Sequence, residues 1–387
     1  MANKLITLCF VLYCGVCFAT PSISTISSSS ISDNDSISLT GSGFGTNSRD
    51  IEWLGGSSGN IESGTVDAHF TKTGWTTDSD SGQFTSPVYS NTYAHSGSQS
   101  ILSRVIDGAG YCPDASDNCI GSSLEYTAST ESGGYMTWWT IFHDGNGVQQ
   151  QWKIWRVMCT GGVNVDDNNT HLMSSQWYNA DRTYLQAYSI NYYECGLNSN
   201  SEYNGMLIYQ DTWTRFEIIV APGTPGHFTY RSYRGNGSAI YEIRDEDINL
   251  SSTNMKYWML QNYVGNHAEG ETSNATIYMD DIYISIGTQA RVEIADTSTW
   301  ASRTHSEVQY PTAWDDNGVT FTVNQGSFEN DSTAYVFVID EDGSANATGE
   351  EITFGAASES TQSGKSTLNS NNPKSIITSK NGLTLLK

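Results

Sequence analysis

Along most of the chain, apolar and polar residues alternate in short runs broken by Gly, Ser, Asn and Asp. That period of two predicts strands, and no stretch sustains the 3.6-residue apolar period of an amphipathic helix. WTRFEIIV is the clearest case. Phe216, Ile218 and Val220 share one face and Arg215 and Glu217 the other, which predicts a strand with a core face and a wet face. YMTWWTIFH, DGNGVQQ and QWKIWRVMC predict two long strands joined by a DGNG hairpin. QWKIWRVM does not sort by face, because Lys153 and Trp155 fall on one side and Trp152, Ile154 and Arg156 on the other. The segments QWKIWRVM, GMLIYQ, WTRFEIIV and MLQNYVG are expected to share one curved sheet. HFTYRSYR, ATIYMDDIYISI, VTFTVNQG and AYVFVIDEDG supply further strands.

Composition agrees with a β-rich chain: 22 Tyr, 11 Trp and 36 Gly stand beside only 7 Pro in 387 residues. The formal net charge of -24 argues against nucleic acid and anionic lipid as partners. Residues 2–19 carry a single charge, Lys4, before an apolar run that closes on small residues. This layout predicts a signal peptide over 1–19, cleaved after Ala19, and hence a secreted or cell-surface protein. No other apolar run is long enough for membrane insertion. Four cysteines then remain: Cys112, Cys119, Cys159 and Cys195. An even count in a secreted chain favours disulfides, read as Cys112–Cys119 around a turn-rich loop and Cys159–Cys195. A zinc site is the alternative. Residues 356–387, rich in Ser, Asn and Lys without an aromatic, predict a flexible tail.

LTGSGFG, after a PSIS start, resembles the opening of an IPT/TIG domain, an immunoglobulin-like module. The rest of that module reads on at RVEIADTSTW and AYVFVIDEDG, near the C-terminal end. The resemblance implies a split domain over 20–55 plus 289–355. The segment between, 56–288, is similar to a concanavalin A-like lectin/glucanase jelly roll, on WTRFEIIV, GHFTYRSYR and ATIYMDDIYIS. The fold class implied is all-β: an antiparallel jelly-roll β-sandwich inserted in a smaller immunoglobulin-like β-sandwich. That jelly-roll family includes lectins, carbohydrate-binding modules, glycoside hydrolases and polysaccharide lyases. Neither an E-x-D-x-x-E string nor an R-S-E-L or Q-I-H string is present.

Sugars present flat C–H faces to aromatic rings and hydroxyls to polar side chains, so an aromatic–basic groove is the expected site. Its candidate residues are Trp139, Lys153, Trp155, Arg156, Tyr209, Arg215, Gln261, Asn262 and Tyr263. The competing reading places the tryptophans in the core. A polysaccharide lyase acting on a uronate-containing glycan would need a group to neutralise the carboxylate and a base. Arg156, Gln261 or Asn262 for the carboxylate, with His143 or Tyr263 as the base, are the candidates for that chemistry. By resemblance, a structural calcium would lie between Glu62 and Asp281. Asp280 and Asp281 would point to opposite faces of an ideal strand, and solvated acids are the alternative reading. The sequence thus leaves a carbohydrate-binding protein taking a polysaccharide or other glycan, a polysaccharide lyase, and a structural or adhesive surface protein.

Overall fold

The computed structural model describes residues 20–47, 50–56, 60–78, 87–104, 119–129, 133–143, 151–159, 171–178, 184–193, 199–202, 207–221, 226–234, 241–248, 255–265 and 276–355. For 78, 119–122, 151–153, 158–159, 171–178, 184–193, 199–202, 207–209, 226, 234, 241–248 and 261–265 this covers the backbone alone. The proposed signal peptide, Cys112, Cys195 and the tail lie outside these residues, as do the side chains of Cys119 and Cys159.

The described chain is all-β, and its one helical turn among the described residues is the 3-10 turn Trp300–Ser302. No described helix is long and apolar enough to cross a membrane. Two sheets form a jelly-roll sandwich. The front sheet runs Ser199–Glu202, Tyr184–Tyr193, His171–Tyr178, Gln151–Cys159, Met255–Gly265, Cys119–Thr127 and Trp75–Asp78, with Leu207–Tyr209 also on Tyr184–Tyr193. The back sheet runs Tyr241–Ile248, Gly226–Arg234, Thr214–Ala221, Gly134–His143, Thr276–Ile286, Ser100–Arg104 and Val88–Ser90, with Ile51–Leu54 also on Thr276–Ile286. Between the sheets lies one apolar core that includes Trp138, Trp155, Phe216, Ile218, Trp258 and Leu260.

Two expectations about these strands are corrected. Gly134–His143 lies in the back sheet and Gln151–Cys159 in the front one, so the two strands are not hairpin partners. Thr214–Ala221 is likewise a back-sheet strand, separated by the core from Gln151–Cys159, Leu207–Tyr209 and Met255–Gly265. Short-range turn chemistry proposes a hairpin, but it cannot tell a paired return from a crossing, because both connect two strands with a core face.

The mixed pattern of QWKIWRVM has a local cause. The ladder to Met255–Gly265 shifts register between Lys153 and Trp155. This irregularity brings Ile154 and Trp155 into the same core, after which Arg156 and Val157 alternate normally.

A smaller sandwich is built from both ends of the chain. Ser36–Ser42 pairs with Gly318–Thr322, with Thr40 opposite Gly318 and Ser36 opposite Thr322. Ile37 and Leu39 are buried in one cluster with Val292, Ile294, Phe321, Val336 and Val338. The long strand Ser306–Asp315 serves both halves. Ser306–Gln309 pairs with Arg291–Ala295, and Tyr310–Asp315 with Gly318–Thr322. The register breaks between Pro311 and Ala313, where proline has no N–H to offer a ladder.

Candidate functional site

Arg215 and Glu217 do stand opposite the core face of their strand, as the alternation requires. That face is not wet. Arg215 retains 2% of its exposure and Glu217 none, because the smaller sandwich packs over them. Arg215 donates from Nε to Thr137 Oγ1 (3.0 Å), from Nη1 to Glu293 Oε2 (3.0 Å) and the Ser306 carbonyl (2.8 Å), and from Nη2 to the Tyr135 hydroxyl (3.0 Å). Arg291 adds a second guanidinium, with Nε on Glu293 Oε1 at 2.6 Å and its plane over the Tyr135 ring. Burial opposes the charge on Glu217, but Arg215 and Arg291 outweigh it and hold the carboxyl at about 2. The same two arginines depress Glu293 against its burial. Arg215 therefore leaves the list of sugar-binding candidates: its donors are committed to joining two sandwiches.

Trp139 belongs to the same interface. Its indole Nε1 donates to Glu307 Oε2 at 2.9 Å, and the His95 ring stacks on it with centroids 4.0 Å apart. His95 Nδ1 meets Asp281 Oδ2 at 2.8 Å, while Nε2 lies 3.6 Å from Glu307 Oε1. Burial works against a charge on His95, but Glu307 and Asp281 prevail and its pKa is raised above the ordinary value. Glu307 in turn is held at about 2, against its burial, by His95 and His305.

His95, Asp281 and Glu307 offer ligand atoms within 4.8 Å of one another, which is metal-like spacing. Their lone pairs are nonetheless taken by protein donors. Asp281 accepts from Gly56 N (2.9 Å) and Ser96 Oγ (2.8 Å) besides His95, and Glu307 accepts from Trp139, Ser327 N and His305. His95 itself bridges the two carboxylates, Nδ1 toward Asp281 and Nε2 toward Glu307.

The calcium pair fits no better. Glu62 accepts from Ser98 N, Ser98 Oγ and Gln99 N, and so fastens the same loop that Asp281 grips at His95 and Ser96. Asp280 and Asp281 also converge, contrary to the ideal-strand expectation. Asp281 has φ of 47° and the ladder shifts between Asp280 and Tyr283, so Asp280 Oδ2 accepts from His95 N and Ser96 N beside its neighbour. Burial and the adjacent Asp281 push the Asp280 carboxyl well up.

The remaining candidates divide between core and front face. Trp155 is fully buried between the sheets, in contact with the rings of Phe228 and Tyr230, and cannot stack on a sugar. Arg156 stands on the opposite face of the same strand, in register with Met259, while Trp155, Val157, Trp258 and Leu260 point inward. Lys153 is opposite Tyr263, and Gln261 is opposite Ser123. Asn262 falls at the irregularity between Gln261 and Tyr263, and Tyr209 pairs with Tyr184 at the far side of the sheet. For Lys153, Tyr209, Gln261, Asn262 and Tyr263 these are backbone positions; their side chains lie outside the described residues.

His143 does not join them. It lies on the back sheet, on the face away from Phe142 and the core, beside Tyr93 and Tyr278 and paired through Nδ1 with Asp211. The core of the sandwich separates it from Arg156, so of the two base candidates for a lyase His143 is set apart and Tyr263 stays on the strand paired with that of Arg156.

The interface residues Arg291, Glu293 and Glu307 were missed from sequence. A signal existed: Arg-x-Glu occurs at 215–217 and again at 291–293, each time opposite an apolar face. Two such strands can be complementary to each other as readily as to water.

No protein-family model and no curated protein matches the sequence. Among solved structures, the chain is similar to an endo-β-1,4-glucuronan lyase from the fungus Trichoderma reesei. The two are 8% identical, with 62% of this chain and 96% of that one covered and a TM-score of 0.40. It is also similar to an alginate lyase from Pseudomonas aeruginosa (10% identity, 53% and 88% covered, TM-score 0.36). A third likeness is to lectin I from Ulex europaeus, in complex with the methyl glycoside of α-L-fucose (8% identity, 56% and 94% covered, TM-score 0.34). At these scores the likeness carries no argument about what this chain does, and no residue role is transferred.

Proposed function

We propose that this is a secreted carbohydrate-binding protein that takes a polysaccharide on the front face of its jelly roll. The observation that carries this reading is the placement of Arg156. It is the guanidinium on the strand pair at the middle of the front sheet, on the side away from the core, with 3% of its surface open to solvent. Lys153 and Tyr263 face each other on that same strand pair, and Gln261 follows on the neighbouring ladder. Cationic, amide and phenolic residues gathered on one pair of strands suit hydroxyl- and carboxylate-bearing chains. Secretion is supported by the signal-like residues 2–19.

Binding is favoured over lyase chemistry because His143 stands on the opposite outside of the sandwich from Arg156, which leaves Tyr263 alone of the two base candidates on the front sheet. The test is a glycan array followed by calorimetry. Arg156→Gln is expected to remove binding to the glycan selected by the wild-type chain, and His143→Gln to leave it intact. The reverse pattern would move the site to the back sheet. Release of unsaturated uronate, followed by absorbance, would restore the lyase reading.

A further inference from the structure

The geometry points to a second binding site, in the cleft between the two sandwiches, for a hydroxylated carboxylic acid of sugar-acid size. The cleft has a volume of about 750 Å³, within the range of small-molecule sites, roughly 300–1,000 Å³. It does not depend on the front-face reading, since every wall comes from the back sheet and the smaller sandwich. Arg231 and Tyr233 line it from Gly226–Arg234; Arg291, Trp300 and Arg303 line it from the other side.

The cations are not equivalent. Arg291 is consumed by Glu293 and Glu217. Arg231 lies 3.7 Å from Glu217. Arg303 has no carboxylate within ion-pair distance among the described residues. Its Nη1 donates to the Trp300 carbonyl (2.8 Å) and Nη2 to the Tyr233 hydroxyl (3.2 Å). Its guanidinium carbon sits over the Trp300 ring, 3.5 Å from the centroid, and its buried Nε has no acceptor among the described residues. Two neutral acceptors and an indole thus position a guanidinium that is ion-paired to no carboxylate among the described residues, its charge reaching Glu293 only through space. In a chain of net charge -24, an arginine in a cleft without an ion-paired carboxylate among the described residues is the unusual element. A planar, pre-oriented fork suits a carboxylate.

The rest of the lining selects among carboxylates. Glu341 and Asp342 lie on the wall formed by the smaller sandwich. Glu341 is engaged by Thr46 N at 2.8 Å, whereas Asp342 is exposed. An acidic group lining the same cleft as the arginine repels a second anion and accepts hydroxyl donors. The ligand chemistry is therefore one carboxylate and several hydroxyls. It could reach the cleft as a free sugar acid or as the end of an acidic polysaccharide chain.

Glucuronate, a short oligomer of it and methyl glucoside, titrated by calorimetry into the full chain, test the site. Glucuronate is expected to bind, methyl glucoside not, and the affinity to fall with added salt. Arg303→Lys keeps the charge but loses the fork, and is expected to weaken binding about tenfold or more. Binding of the oligomer alone, with the same sensitivity to Arg303→Lys, would identify the chain end as the source.

On the unaltered protein, glucuronate should protect Arg303 from phenylglyoxal in peptide mass maps. That readout stands even where the variant fails to fold. No saturable binding of either acid overturns the proposal. So does binding that survives Arg303→Lys but is lost in Arg156→Gln, which would assign the acid to the front face and leave the proposed function standing.

Discussion

Arg215 Nη1 lies 3.0 Å from Glu293 Oε2, and the two residues belong to different sandwiches. Neither has measurable contact with water: 2% and 0% of their surface is exposed. Buried ion pairs tolerate the loss of one partner badly, because the other charge stays desolvated. Arg215→Met is expected to lower stability by about 3–5 kcal/mol. Thermal unfolding should also split into two transitions, as the jelly roll and the smaller sandwich lose their shared ions. A single transition at the wild-type temperature would show that the pair is not what couples them.

Acid should act through the same interface. Glu217 and Glu307 titrate near 2 in the folded chain against 4.5 ordinarily, and Glu293 is depressed as well. A depressed carboxyl stabilises the fold above its unfolded pKa, and that contribution fades as pH falls through the folded value. Stability should therefore decline from about pH 4.5 downward to about pH 2. Asp280 has the opposite sign, because its raised pKa favours the fold at low pH and opposes it once ionised. Asp280→Asn should remove that opposing contribution at neutral pH, where unfolding in urea across a pH series reads both effects.

His95 sets the alkaline side. Its pKa is raised above 6.5, so the contribution of the imidazolium is complete below 6.5 and is lost as pH rises through the folded value. His95→Gln is expected to be less stable at pH 6 and to lack the decline above neutrality. An identical slope in both proteins would exclude the imidazolium from the clasp.

Gly55 sits against that clasp. A Cβ there would meet Asp281 Oδ1 at 2.4 Å and the Asp281 Cα at 2.6 Å. Gly55→Ala should displace Asp281 from His95 and destabilise the protein by about 1–3 kcal/mol. Its alkaline decline should shrink along with that of His95→Gln.

Trp155→Ala is expected to cost about 3–5 kcal/mol through the cavity it leaves, as denaturant unfolding would register. Glycan affinity at a temperature where the variant is folded should remain, because the ring faces the core.

How much of this was legible beforehand varies by element. Phe216, Ile218 and Val220 announced their core face, and Ile37 and Leu39 theirs, since strict alternation leaves a half-buried strand one way to sit. Alternation cannot say what covers the second face. Arg215 and Glu217 look the same in a sequence whether water or a complementary Arg-x-Glu strand lies opposite. Lys153 to Trp155 failed to sort because a register shift is a property of two strands. Tryptophan content pointed to sugar stacking, but Trp138 and Trp155 fill the core and Trp139 caps a carboxylate. His95 carried no local signal, since the carboxylates its ring meets lie 186 and more residues away.

The pairing of Ser36–Ser42 with Gly318–Thr322 joins residues 282 positions apart, as Ser38 and Thr320 do through their hydroxyls at 2.9 Å. During vectorial synthesis, at about 5–20 residues per second, the opening strand leaves the ribosome long before its neighbour exists. For that interval Ile37 and Leu39 have no core to enter. The jelly roll between them is the part that can close first, and its finished back sheet then presents Arg215 and Glu217 as the template on which the late strands are received. Any exit partner or chaperone that shields the waiting segment would govern the yield of the protein without touching its final form.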